Sequence, residues 1–552
     1  MRCSTSSRCA AASAIAASLT NCGRAPTTDR IFTDGSPLPG PGDAPSGADQ
    51  DDGMVSVLHN SQPPTSVGTS QDLTSAVIGA ARAIAGRENG ICMTPGQRAM
   101  APRIAVLVYN DAANDSRVLK ESATLRDDGY DVRIIAVERR KLGRMAQVTS
   151  LGERLALERV PEFAIERVLP SIAPWWRRLI TEADSVEAND PAPVPRSRPG
   201  TGLPRRALDE VPAVRSLALR TLRSIGERAF RTVSLGTYWK NATAAGLRLQ
   251  PDIIHANDAN TLVPALAIRA LTRGGTGIVY DSHELWRHRN VRSGRILAPL
   301  AEVLTETFGI RQVDGVITVS PSIAEWLQRT YRLEDAPTLV RNVPIADALP
   351  DPSTGVLRER AGLSDADKVI AYGGRITTAR GIEETIAALP HLPPDVHFVL
   401  LGYGEAAALD AVRAEAVSRG VEDRVHLVGA VDPDDVSRSL ADGDVAVVHV
   451  RPICLSYRYA LPNKLFESIR AGLPIAAADL PDMRQVVEEL GVGEVFQGSE
   501  PEDLAAALAA ILEDPEAYRA RARAVAPKLT WENETEKMLE MYRRILRRRK
   551  DR

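Results

Sequence analysis

The chain has 552 residues, 44% hydrophobic and 25% charged, with a formal net charge of −3. This is an ordinary core-forming composition, and the length predicts two domains with appendages rather than one. Cys3, Cys9, Cys22 and Cys92 fall in the first hundred residues and leave Cys454 alone further on, which excludes a disulfide framework and points to a reducing compartment. No run approaches the roughly 20 apolar residues of a membrane-spanning helix.

Residues 1–99 are rich in Ala, Ser, Gly, Pro and Asp and show few apolar residues at helical or strand spacing, so they are expected to be a disordered or dispensable extension. Ala10 to Leu19 is too alanine-rich for a signal-peptide core, and Met100 reads as the natural start of the first domain. That domain, 100–345, opens with the apolar strand Arg103–Tyr109 and a polar loop from Asn110. Asp115 or Ser116 is placed to cap the following helix, Gly129 ends it, and Asp131–Val137 completes a β-α-β unit. Asn114 and Asp115 lie in the strand-to-helix loop, where a ligand would meet polar groups.

Residues 139–250 look irregular and carry 20 Lys or Arg against 11 Asp or Glu. Pro174-Trp-Trp-Arg-Arg178 sets aromatics beside charge, and Pro191 to Pro204 reads as a linker. Ala218, Leu222, Ile225 and Ala229 share one helical face, with Arg220, Arg228 and Arg231 near the other. Two readings stay open for this basic insertion near 141–245: docking on an anionic membrane surface, or a helix packed on its own domain beside a flexible segment. Pro251–Asp258 and Gly277–Glu284 then place Asn257, Asp258, His283 and Glu284 at the ends of apolar strands.

Pro344, Pro350 and Pro352 interrupt regular structure and predict the domain boundary between Asn342 and Ala361. In the second domain, 346–525, Lys368–Arg375 reads as a strand entering a glycine turn at Gly374. Arg380 and Gly381 lead into the helix Ile382–Leu389, so Arg375 and Arg380 bracket one strand-to-helix loop. Two guanidinium groups there suit a diphosphate. A second such loop follows the strand Asp444–Val450: Pro462 and Asn463 open a helix that Gly472 and Pro474 close. A helix N-terminus at the carboxyl end of a parallel strand attracts phosphate, Lys464 reinforces it, and Glu467 can accept two hydrogen bonds from a ribose diol. Asp432-Pro-Asp434 and Asp442-Gly-Asp444 mimic a metal-binding Asp-x-Asp signature, but the first resembles helix-capping chemistry and the second feeds a buried strand. Residues 526–552 form a last helix, acidic at its start and basic at its end, with a basic tail.

These motifs, Gly374-Arg375 with Arg380-Gly381, Leu400-Leu-Gly-Tyr-Gly404, Val425-His-Leu-Val-Gly-Ala430 and Leu461-Pro-Asn-Lys-Leu-Phe-Glu467 with Ala471-Gly-Leu-Pro474, resemble those of glycosyltransferase family four. The resemblance spans roughly residues 103 to 548 and implies an α/β GT-B fold: two Rossmann-like domains facing across a cleft, with a last helix crossing back to the first. It implies that Arg375 and Arg380 hold the donor diphosphate, that Val428 and Gly429 lie beside the nucleobase, that Asn463 and Lys464 sit near diphosphate and sugar, and that Glu467 holds the ribose. His255, Asn257, Asp258, His283 and Glu284 would form the opposite wall, with His283 contacting the donor sugar or acceptor hydroxyl. The chain departs from the family at Tyr459, where many members carry a glutamate close to the donor sugar.

The implied reaction moves a sugar from a nucleoside-diphosphate sugar to an acceptor hydroxyl with retention of configuration. It needs no protein nucleophile, cofactor or metal, and no nucleic-acid partner is expected. Two alternatives stand beside it: a nucleotide-sugar epimerase of the same fold, and a binding protein weakened in catalysis at Tyr459. A cytoplasmic location is expected, with association at the inner membrane face left open by the basic insertion.

Overall fold

The computed structural model describes residues 101–168, 170–171, 210–290, 297–497 and 500–551. The expectations for residues 1–99, for Pro174–Arg178 and for Pro191–Pro204 lie outside them, as do the side chains of Ala218, Arg220, Leu222 and Ile225.

Two sheets of mainly apolar strands organise the chain. The first contains β1 (Arg103–Leu107), β2 (Asp131–Val137), β3 (Val148–Gly152), β4 (Leu155–Val160), β5 (Ile253–Asn257), β6 (Gly277–Ser282), β7 (Gly315–Thr318) and β8 (Thr338–Leu339), in the spatial order β3-β4-β2-β1-β5-β6-β7-β8. All neighbours pair parallel except β3 with β4. The second contains β9 (Lys368–Gly373), β10 (Val396–Leu401), β11 (Val425–Gly429), β12 (Val445–Val448), β13 (Ile475–Ala478) and β14 (Gly493–Phe496), ordered β11-β10-β9-β12-β13-β14 and wholly parallel. The strand order reverses beside β1 in one sheet and beside β9 in the other, and ligands collect in the crevice at the carboxyl ends of strands at such points. The apolar residues follow from this plan, because parallel strands covered on both faces need continuous hydrophobic runs; all residues of β5, β6, β12 and β13 are buried.

Part of the basic region is regular: β3 and β4 extend the first sheet, and the helix Glu210–Leu249 returns the chain to β5. Tyr238, Ala242 and Ala245 of that helix are buried in the first domain, whereas Arg228, Ala229 and Arg231 are exposed. Here the helix is therefore packed on its own domain along one stripe.

The helix Trp531–Lys550 leaves the second domain and covers the first sheet. Trp531 Nε1 donates to Thr124 Oγ1 at 2.9 Å, and Arg543 and Arg549 pair with Asp128 and Asp252. Gly277 and Gly315 make room for it: a side chain at either position would collide with Ile545 or Met541. This helix also explains His255. Expected in the cleft wall, His255 is instead fully buried on the central strand β5, its Nδ1 2.5 Å from the Tyr542 hydroxyl.

Candidate active site

A cavity of about 540 Å³ lies between the domains at the carboxyl ends of both sheets. The first domain contributes Asn114, Asp115, Arg117, His283 and Glu284, and the second contributes Arg380, Tyr457 and Asn463.

On the first-domain side, Asp115 caps the helix Ser116–Asp127 by accepting from Val118 N at 3.2 Å, while Asn110 Nδ2 holds its other oxygen at 2.7 Å. The first turn thereby presents Arg117 inward. Its Nε donates to Asp281 Oδ2 at 2.9 Å, Nη2 to Asp281 Oδ1 at 3.1 Å, and Nη1 to the Val340 carbonyl at 2.8 Å. Asp281 also meets His283 Nε2 at 3.0 Å. Asp258 approaches the other side of that ring, with Oδ2 3.8 Å from His283 Nδ1, and Oδ1 accepts the His283 backbone N–H at 3.4 Å. Asp258 adopts φ of +60°, an uncommon backbone state for a non-glycine residue that persists where neighbours hold it.

The electrostatics follow from this packing. Burial opposes charge on His283, but the Asp281 and Asp258 carboxylates outweigh it and push its pKa up to about 10, so it is an imidazolium at neutral pH. Burial likewise opposes charge on Asp281, yet Arg117 and His283 hold it well below the ordinary carboxylate range. Glu284 is raised to about 7 by burial and by Asp258, which makes it a cleft carboxyl able to exchange a proton near neutrality. Behind this wall, Glu121, His255 and Asp281 bring potential ligand atoms within 4.8 Å of one another. Arg117 supplies positive charge to that cluster, since it lies 3.0 Å from Glu121 as well as bonding Asp281.

The second-domain side differs. The Lys464 Nζ sits 3.4 Å from the Tyr372 ring centroid and has no hydrogen-bond partner among the described residues. Burial, then Arg380, pushes its pKa well down. Gly374, at φ of +116°, leaves room for it, because a Cβ there would stand 3.1 Å from Lys464 Cε. The Arg380 guanidinium lies over Tyr457, 5.0 Å from its centroid. Gly381 lets this loop pass His449, where a side chain would collide. Glu467 is raised by burial against the opposing pull of Lys120 and Lys464.

Among the sequence-selected residues, Asn114, Asp115, His283, Glu284, Arg380 and Asn463 converge on the cavity. Gly374, Lys464 and Glu467 are not among its lining residues. Asn257 is buried and turned away, donating from Nδ2 to the Leu107 carbonyl at 3.0 Å. Arg375 points outward and is 59% exposed, pairing with Glu405 at 3.2 Å. Val428 and Gly429 end the edge strand β11, and the Gly429 carbonyl accepts from Gly402 N at 2.7 Å. Tyr459 packs its side chain on the first domain's core, and its carbonyl accepts from Ser320 Oγ at 2.9 Å. Of the two Asp-x-Asp strings, Asp442 caps the backbone N–H groups of Leu357 and Arg358, and Asp444 pairs with Arg358 at 2.7 Å. Sequence reasoning missed Arg117 and Asp281 as site residues. Asp281 was signalled by a charge inside an otherwise apolar strand, whereas Arg117 looked like an ordinary helix-surface cation.

Two parallel-sheet domains, each open at a strand-order reversal and joined by a crossing helix, define the GT-B fold. Sucrose-phosphate synthase from Thermosynechococcus elongatus shares this fold, with a TM-score of 0.57 and 18% identity, covering 80% of this chain and 99% of that one. So does Anabaena HepE, solved in complex with UDP-glucose, with a TM-score of 0.55 and 15% identity over 80% of this chain and 99% of that one. The family model for glycosyl transferases group 1 matches residues 355–528, and that for Glycosyltransferase Family 4 matches residues 198–342. Together they span more than half of the chain. A D-inositol 3-phosphate glycosyltransferase of Xylanimonas cellulosilytica is 29% identical over 299 residues, which is 51% of this chain and 69% of the relative. A glycogen synthase of Mycobacterium tuberculosis is 27% identical over 303 residues, 52% of this chain and 68% of the relative. The chain belongs to glycosyltransferase family four and is an enzyme that transfers sugars.

Proposed function

We propose that the enzyme moves a sugar from a nucleoside-diphosphate sugar to an acceptor hydroxyl, with the anomeric configuration retained. The observation that carries this reading is the division of labour across one cavity: Asn114, Asp115, His283 and Glu284 of the first domain face Arg380 and the helix start at Asn463 on the second. Arg380, Asn463 and Lys464 would receive the diphosphate, and Glu467 the ribose diol. Charge builds on the leaving diphosphate as its bond to the anomeric carbon breaks, and positive charge held beside it lowers that barrier. The acceptor oxygen forms the new bond and gives up its proton, for which Glu284 is the cleft carboxyl with a suitable pKa. Asn114, Asp115 and the His283 imidazolium orient the reacting groups.

The test is acceptor-dependent release of nucleoside diphosphate from a panel of nucleotide sugars, with the product anomer read by NMR. An inverted product, or sugar isomerisation without diphosphate release, would overturn the reading. Glu467→Ala should weaken nucleoside-diphosphate binding by roughly 10- to 100-fold, as loss of a charge-assisted bond does.

The acceptor reading extends to the membrane. Among the described residues no helix is long and apolar enough to cross a bilayer. The excess of cations over residues 139–250, with Arg228 and Arg231 exposed, favours peripheral docking on anionic lipid. Sedimentation with anionic vesicles at low salt and release at high salt would support it, and binding indifferent to lipid charge would remove it.

A further inference from the structure

We propose a second sugar-binding site beside the cleft, between the helix Pro321–Tyr331 and Tyr459, that holds a sugar unit of the acceptor beyond the one that reacts. The proposal rests on the glycosyl-transfer reading above and extends it to acceptors longer than a monosaccharide.

A cavity of about 260 Å³ is lined by Ser322, Glu325, Trp326, Arg329, Thr330 and Tyr459. Trp326 and Tyr459 come from different domains, yet both pack on the first domain's core cluster. Trp326 is also braced at nearly right angles by His288 at 5.1 Å and by Tyr331 at 5.7 Å between ring centroids, so its orientation is set before anything binds. Aromatic walls of this kind accept the C–H face of a pyranose, while the rim must satisfy its hydroxyls. The rim offers Thr330 and the Glu325–Arg329 pair, 2.5 Å apart and largely exposed. Because that carboxylate neutralises the guanidinium beside it, the rim suits a neutral polyhydroxyl ligand better than a phosphate. Four polar side chains out of six also make it a poor seat for an acyl chain.

Its position ties it to the cleft. Ile323 lines the large cavity and Ser322 the small one; Ala460 lines the large cavity and Tyr459 the small one. The chains therefore pass from one cavity to the other within a single residue on each side. At this boundary Ser320 Oγ donates to the Tyr459 carbonyl at 2.9 Å. The buried Asp482 of the second domain accepts from Ser322 N at 3.2 Å and from Ser322 Oγ at 2.8 Å. The interdomain contacts that complete the small site thus also border the catalytic cavity, and separating the domains would split both.

The full chain is titrated with methyl glycosides, disaccharides and trisaccharides of gluco, galacto and manno configuration by saturation-transfer NMR, and in parallel with UDP and GDP by calorimetry. A di- or trisaccharide is expected to bind more tightly than its methyl glycoside. Trp326→Ala should lower that affinity by about tenfold and Arg329→Ala by about threefold, with nucleoside-diphosphate affinity unchanged. Thr330→Trp, which fills the cavity from an exposed position, should have the effect of Trp326→Ala and covers the case in which that variant does not fold. The proposal is overturned if the wild type binds nucleoside diphosphate but no saccharide, if Arg329→Ala and Thr330→Trp bind saccharides as the wild type does, or if medium-chain alcohols displace the saccharide. Failure to bind either nucleoside diphosphate would instead remove the glycosyl-transfer reading on which this one stands.

Discussion

The two walls of the cleft handle charge in opposite ways. On the first domain, Arg117, Asp281, His283 and Asp258 satisfy one another, so the wall has its working geometry without a ligand. On the second, Lys464 and Arg380 lie against aromatic rings, with no anionic partner within ion-pair distance among the described residues. The difference teaches that preorganisation is divided: one wall is a finished frame, and the other is incomplete until an anion arrives.

The comparison breaks most visibly through Asp281→Ala, which takes from Arg117 and His283 the carboxylate they share. A stability loss of about 3–5 kcal/mol is expected in urea unfolding. Lys464→Met removes an amine with no partner and should leave stability unchanged or higher; similar losses in both variants would erase the distinction between the walls. Next comes the transition state. Arg380→Ala should cost about 2–4 kcal/mol in kcat/KM, while Arg375→Ala, whose exposed ion pair faces Glu405, should cost under about 1 kcal/mol. Equal effects would place both arginines on the diphosphate.

A smaller effect sharpens the second wall. Lys464 is held well below its ordinary pKa in the free protein, and a bound diphosphate should raise it again. Binding then takes up a proton, and affinity falls by at most about tenfold for each pH unit through the affected range. Calorimetry in buffers of different ionisation enthalpy measures that uptake, and Lys464→Met should abolish it. A further pH effect concerns the first wall. The His283 pKa rises from 6.5 to about 10 on folding, so its stabilisation is complete below about 6.5 and is lost as pH climbs toward 10. Melting temperatures of the wild type and His283→Gln should therefore converge as the solution is made alkaline; a gap that widens would reverse the assignment.

Much of this arrangement was legible in local pattern. Asp115 is a helix cap as its place before a periodic run implied, and Asn463 opens a helix after a buried strand because proline and glycine bracket it. His283 and Glu284 reach the cavity from just past the apolar strand β6, and Arg380 from the loop that follows β9. What stayed hidden depends on contacts between distant residues. Arg117 and Asp281 are 164 positions apart, and nothing local to either names the other. His255 shares the strand-end signature of His283, but a helix almost three hundred residues later covers it. Arg375 and Arg380 look equivalent in a glycine-rich loop, and only the course of that loop separates them. The strands β3 and β4 lack a continuous apolar run: β3 is a short, largely solvent-facing edge strand, and β4 is interrupted by Glu158 and Arg159.

The crossing helix has a bearing on biosynthesis. Sulfur from Met541 and a methyl from Ile545 occupy the hollows over Gly315 and Gly277, and the Tyr542 hydroxyl meets His255. The first domain's sheet is synthesised early, but the part of its face beside the helix Ser116–Asp127 stays uncovered until those residues emerge from the ribosome. During translation of the intervening second domain, that part of the face is open to solvent and to chaperones. The domain made first therefore finishes folding last.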